Sequence, residues 1–462
     1  MEESKPILAT STTRVWFVAL VAYYVLALYL VPSTATVERF SFTYFALVVP
    51  AWLYVIGNWR YLLTGYSLAS KSLVLFAILA GLIGLSRLDI PLAYNATFLS
   101  AMAIVILNSR VYLTIAELNW MFLGTVIGSI VVYGLGITEY GFLPGQAEAL
   151  GCHVAMNWRI SLFRVTAESA MFSFVILIAN IIYGNRLLWW VRGLVILVAA
   201  YFLIYSGVRS IVLPALVALP ICTLVVLHRL TTKARRRAVA GIIAGTIVIL
   251  SVPYWLGTSD GFWENYFLKT KTCEYLIRYG YITPSGEPSE PFEPSSPSSP
   301  SSLSSLSTDS APFTIFRRPK RSVPTEWYDR TFNRHCSAMH QLSLFVESPL
   351  GSRDVKPISD QQLTGVVGCH TDQLNYYCVT CNVATYWLAR AGIGAIPLLL
   401  CFIAIMAAAI KRRYTELFLI MTIFGAVSLS WGGMFVPYNL MFLLMLAMPA
   451  IVAALEDRRE KA

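Results

Sequence analysis

Runs of apolar residues, each close to the length that carries a helix through about 30 Å of hydrocarbon, recur along both ends of the chain. They predict spans over 15–31, 41–57, 68–85, 91–107, 116–135, 166–183, 187–205, 210–228, 238–256, 384–410, 415–431 and 434–454, about twelve in all. The first is too long, and too weakly basic at its front, for a cleaved signal peptide and reads as a retained helix. The third and fourth are short and close together, which leaves a re-entrant hairpin open as an alternative to two crossings. Between 257 and 383 the pattern changes. Residues 283–312 are almost wholly Pro, Ser, Glu and small residues, which predicts a disordered insert, because such a segment buries too little apolar surface to offset its ordering entropy. From about 326 to 374 aromatic, apolar and polar residues mix, as in a small folded cap.

The expected fold class is therefore an all-α polytopic membrane protein with one large outer loop. Residues 1–256 form an N-terminal bundle of about nine helices, 257–383 the outer loop, 384–455 the C-terminal helices and 456–462 a tail. No internal repeat is visible.

Composition supports a membrane as the solvent: of 462 residues 57% are hydrophobic and only 13% charged. The net charge of +10 would point to nucleic acid in a soluble chain, but here the basic residues cluster between apolar spans. That is the pattern of topology determinants and excludes a nucleic-acid partner. Placing Arg229 with Lys233 and Arg235–Arg237, Lys411–Arg413, and Arg458, Arg459 and Lys461 on the cytoplasmic side puts Arg60, Lys71, Arg110, Arg186 and both termini there too. Three segments then face outward: 136–166, the turn at 206–210, and 257–383.

Candidate chemistry lies in these outer segments. Of eight cysteines, Cys222 and Cys401 fall within spans as packing residues, whereas Cys152, Cys273, Cys336, Cys369, Cys378 and Cys381 fall outside. An even set in an oxidising compartment predicts up to three disulfides, with the pairing open. A zinc-type site built on His335-Cys336, Cys369-His370 and Cys378–Cys381, or a C-x-x-C redox pair, is the alternative. Arg159, Arg164 and Arg209 sit at outer helix ends, against the positive-inside tendency. They are candidates to hold phosphate through forked hydrogen bonds, unless Arg164 pairs with Glu168 four residues on. Histidines 153, 335, 340 and 370 are candidate general bases. His370, with Asp372 close by and the tenth span just ahead, stands out.

Several stretches resemble the O-antigen polymerase and O-antigen ligase superfamily of the bacterial envelope: Tyr205-Ser-Gly-Val-Arg-Ser-Ile-Val-Leu213, Ser348-Pro-Leu-Gly351, His370 through Asn382 to Leu388-Ala-Arg-Ala-Gly-Ile-Gly394, and Trp158-Arg159-Ile-Ser-Leu-Phe-Arg164. The family histidine lies about eleven residues, or three helical turns, before its glycine pair. That position is Cys381 here, with His370 eleven residues further back (392 − 11 = 381; 381 − 11 = 370). The resemblance implies glycosyl transfer on the periplasmic face of the inner membrane, without metal or cofactor. An undecaprenyl-pyrophosphate-linked oligosaccharide is the donor, Arg209, with Arg159 or Arg164, the pyrophosphate clamp, and His370 the base. It further implies polymerisation of O-antigen or exopolysaccharide repeats, alongside other polysaccharide assembly proteins. Transfer to a lipid A core or to protein Ser/Thr remains open. A transporter or flippase is the alternative of another class; among interior charges it would rest mainly on Glu117.

Overall fold

The computed structural model describes residues 10–30, 42–64, 67–135, 149–150, 153–154, 160–163, 166–183, 189–229, 232–255, 338, 341–352, 383–411, 414–430 and 445–451. Helices stand where the apolar runs predict them: α1 (Ser11–Leu30), α2 (Phe42–Gly57), α3 (Leu68–Ser86), α4 (Ile90–Ser109), α5 (Ile115–Gly134), α6 (Thr166–Ile182), α7 (Trp189–Tyr205), α8 (Arg209–Arg229) and α9 (Thr232–Trp255). After the large loop come α10 (Val383–Ala391), a 3-10 turn (Gly392–Ala395), α11 (Ile396–Lys411) and α12 (Thr415–Ser430), and 445–451 is again helical. Among the described residues the only strands are β1 (Ala149–Leu150) and β2 (His153–Val154), a two-residue antiparallel ladder pairing Leu150 with His153.

Six helical stretches are long and apolar enough to cross a membrane: Ser11–Tyr29, Leu68–Ser86, Leu92–Ser109, Ile115–Gly134, Ala238–Trp255 and Val383–Lys411. Others, such as α6 and α7, are apolar but shorter. The chain is thus a helical, membrane-type protein. The third and fourth spans are helices of 19 and 20 residues joined by the tight turn Arg87–Asp89, each containing a stretch long and apolar enough to cross a membrane. Two differences from the sequence expectation have simple causes. Helix α9 starts six residues before the apolar run, because Lys and Arg are good helix formers and hydropathy marks hydrocarbon rather than helix. The tenth span, expected to be one helix, breaks at Gly392.

Local signals set the helix ends. Ser67 caps α3 by accepting from Ser70 N (3.2 Å), and Asp89 caps α4 by accepting from Leu92 N (3.3 Å). Thr114 and Glu117 form a reciprocal capping box at α5, with Thr114 N donating to Glu117 Oε2 (2.7 Å).

One continuous apolar core runs through the bundle. Helix α6 lies at its centre: every residue from Glu168 to Asn180 is buried, whereas α9 is peripheral, with Tyr254 and Trp255 exposed. Two asparagines inside this core pair with each other. Asn119 of α5 and Asn180 of α6 exchange amide hydrogen bonds of 2.9 and 2.7 Å, and Arg192 of α7 donates from Nε to Asn180 O (3.1 Å). Buried amides must be matched in this way, since an unsatisfied one costs about 1–3 kcal/mol.

One end of the bundle is tied by a polar network. Thr13 Oγ1 donates to Asn58 Oδ1 (2.8 Å), Asn108 Nδ2 to Tyr61 O (2.7 Å), and Arg14 pairs with Glu117 (2.7 Å). The start of α1, the α2–α3 link and the α4–α5 link are thereby brought together, so Arg60 and Arg110 belong to one end, as the charge pattern expects. The turn at Arg87–Asp89 lies at the other.

Candidate functional site

At that other end three segments remote in sequence interlock: the α3–α4 turn, residues 341–352, and the α10–α11 break. The break arises because Gly392 takes a left-handed backbone (φ +57°) that stops α10. Stopping a helix inside an apolar segment frees backbone groups that have no water to bond. The turn Ser348-Pro-Leu-Gly351 supplies partners: Ile393 N donates to Pro349 O (2.8 Å) and Ser352 N to Ala389 O (2.7 Å). The turn itself is closed by Gly351 N donating to Ser348 O and Ser348 Oγ to Gly351 O, both 2.7 Å. Gly351 is also left-handed (φ +93°). A Cβ there would collide with the Arg390 carbonyl and lie 2.7 Å from Gly392 N; one on Gly392 would collide with Pro349 O and Gly351 N. Two glycines face each other because no side chain fits between the backbones.

Charge pins the same junction. Arg390, in the last turn of α10, grips Asp89 as a fork, Nε to Oδ2 at 3.2 Å and Nη2 to Oδ1 at 3.1 Å. The side chains are 11% and 4% exposed. Asp89 therefore ties α10 to the α3–α4 turn while capping α4. A second tether is buried: Thr385 Oγ1 of α10 donates to Gln341 Oε1 (2.7 Å). Trp387 packs edge-on against Phe76 of α3 (5.3 Å), and Gly394 admits Ile83 and the α3 backbone at Ala80. Arg87, in the same turn as Asp89, has a buried Nη1 without a hydrogen-bond partner among the described residues.

The Tyr205–Leu213 stretch is anchored separately. Ile160 N donates to Tyr205 O (3.0 Å), and Tyr205 OH to Ile249 O of α9 (2.6 Å). Ile160, Ser161, Leu162 and Phe163 are all buried, and Leu162 N donates to Ser169 Oγ of α6 (2.9 Å). The described part of the stretch between Arg159 and Arg164 is thus fastened to the α7–α8 turn. Arg209 is the first residue of α8, at a helix start as its motif predicts.

Arg159, Arg164, His370, His335 and His340 lie outside the described residues, as do Cys152, Cys273, Cys336, Cys369, Cys378 and Cys381. His153 stands in β2. Cys222 and Cys401 are free and buried, as packing residues should be; burial pulls both thiols away from reactivity. Glu117 is taken up by the capping box and by Arg14, a structural role at the opposite end.

Asp89, Arg390 and Gln341 were not singled out from the sequence. A signal for the first two existed: Asp89-Ile-Pro is a helix-start pattern, and Arg390 is a charge in an apolar span, which demands a partner. For Gln341 there was none. No family model, characterised protein or solved structure matches the chain.

Proposed function

We propose that the chain is a membrane glycosyltransferase that uses a glycan on an undecaprenyl-pyrophosphate carrier and polymerises O-antigen or exopolysaccharide repeats at the periplasmic face of a bacterial inner membrane. In this reading the twelve spans expected from the sequence all cross the bilayer, α10 and α11 together making the tenth, both termini are cytoplasmic, and the α3–α4 and α7–α8 turns and the large loop are periplasmic. The observation that carries it is the interlock of Ser348-Pro-Leu-Gly351 with the glycine pair Gly392/Gly394. Two stretches that resemble the superfamily, separated by the end of the large loop, are built as one unit.

The chemistry follows from the residue types. The acceptor hydroxyl attacks the anomeric carbon, its proton passes to His370, and the bond from that carbon to the pyrophosphate oxygen breaks. Arg209, with Arg159 or Arg164, neutralises the departing pyrophosphate. Glu117, the main interior charge on which a transporter would rely, is held in a capping box and an ion pair, so that alternative draws no support from it.

The test is a glycan profile of a deletion strain complemented with wild type, Arg209→Ala or His370→Ala, with insertion of each variant checked by immunoblot. Long chains restored by wild type and single lipid-linked repeats with Arg209→Ala are the expected result. Long chains that stay on the carrier and never reach lipid A would make it a ligase. Unchanged glycans on deletion would overturn the glycosyltransferase reading in favour of transport.

A further inference from the structure

Contacts along α3 give the depth of the α10–α11 break. The span Leu68–Ser86 has 19 residues, about 28 Å of helix and close to the hydrocarbon thickness, so Ser86 marks the membrane edge at this end. Gly394 sits below that edge: a Cβ there would stand 2.9 Å from Ile83 Cδ1 and 3.3 Å from Ala80 N. Ala80 is about 9 Å of helix inside Ser86. Trp387 of α10 reaches deeper still, edge-on to Phe76 at 5.3 Å. The turn Ser348–Gly351 is bonded to this break, through Ile393 N on Pro349 O and Ser352 N on Ala389 O. This end of the large loop therefore stands level with the last two turns of α3 and not above them.

Its surface fits that depth. Residues 341–347 are helical and run straight into the turn. Val346 is 75% and Leu350 56% exposed, and Glu347 is the single charged residue of 341–352. The backbone is closed inward: the N–H groups of Ser348, Gly351 and Ser352 and the carbonyls of Ser348, Pro349 and Gly351 are all bonded within the protein. Polar groups satisfied internally with apolar side chains outward is what hydrocarbon demands of irregular backbone, and the reverse of a turn built for water. The apolar surface also continues onto the neighbouring spans. Helix α3 exposes Leu75, Ile78, Leu82 and Leu85 at helical spacing, Leu88 is exposed in the turn beyond, and α11 begins with exposed Ile396 and Leu400.

We infer that residues 341–352 dip into the lipid leaflet at the α3–α4 end of the bundle, with Val346 and Leu350 against acyl chains and Glu347 left at the headgroups. A carboxylate is costly in hydrocarbon, so the insertion is shallow. Interfacial amphipathic segments bury their apolar face by roughly 5–10 Å, which matches the depth set by Gly394.

The experiment places the fluorescent amino acid acridonylalanine, by amber suppression in the full chain, at Val346, Leu350 or, as the lipid-facing reference, Leu82. Each protein is reconstituted into vesicles of phosphatidylethanolamine and phosphatidylglycerol after its elution is checked against wild type. Quenching is read with a lipid carrying a nitroxide near the top of its acyl chain, and separately with iodide equilibrated on both sides. The nitroxide lipid quenches at Val346 and Leu350 as it does at Leu82, and iodide quenches both several-fold less than the free amino acid in buffer. Strong iodide quenching with none from the lipid places the segment in water and overturns the inference. Quenching by neither means that another part of the chain covers it, which overturns the inference equally, as does lipid quenching at only one of the two positions. No outcome bears on the glycan profile, so the two proposals fail separately.

Discussion

Removing the carboxylate of Asp89 leaves the Arg390 guanidinium in a site where its side chain is only 11% exposed and two of its donors lose their acceptors. Breaking a buried pair from one side costs about 3–5 kcal/mol, because the surviving charge loses its counter-charge where little water can replace it. Asp89→Asn keeps an oxygen to cap α4, so the cap, about 1 kcal/mol, is largely spared and the loss isolates the charge. Arg390→Met removes the other partner and strands the carboxylate. The double variant Asp89→Asn/Arg390→Met strands neither, so its cost falls well short of the sum of the singles, with a coupling of about 2–3 kcal/mol. The measurement is unfolding of the purified protein in dodecylmaltoside with rising mole fraction of SDS, followed by intrinsic fluorescence. The pair Arg14–Glu117 serves as the control. Its side chains are 50% and 41% exposed, so its coupling is at most about 1 kcal/mol. Additive singles at Asp89 and Arg390, each under about 1 kcal/mol, would refute the idea that this junction is dry and locked by charge.

Gly351→Ala and Gly392→Ala each destabilise by more than about 2 kcal/mol in the same assay, because a left-handed alanine is strained and its Cβ meets backbone. Gly124→Ala, where a Cβ meets nothing within 4 Å in α5, stabilises by up to about 1 kcal/mol; the reverse order would contradict the interlock. Asn119→Leu or Asn180→Leu costs about 1–3 kcal/mol by removing both hydrogen bonds between the two amides, and the double variant recovers part of that loss, read as a double-mutant cycle.

Much of the plan was legible from the chain alone, since a helix in hydrocarbon must satisfy its own backbone over about 20 residues and so writes an apolar run of that length into the sequence. The grouping of Arg60 with Arg110 was legible for a related reason, as alternating crossings leave basic links at one end. The resemblance found Ser348–Gly351 and Gly392–Gly394 as separate short motifs but could not bring them together.

What the sequence determined by itself is local: where helices lie, which links share an end, and that Asp89 and Thr114 begin helices through side chains three residues from the amides they bond. Only the tertiary structure decided that Arg390 meets Asp89 across 301 residues, that Thr385 meets Gln341, and that the tenth span breaks at Gly392 because another turn is there to take up the freed backbone groups. Hydropathy averages over a window and carries neither a backbone dihedral nor the identity of a distant partner. A helix break in an apolar span is stable only when that partner arrives, which is a property of the packed bundle.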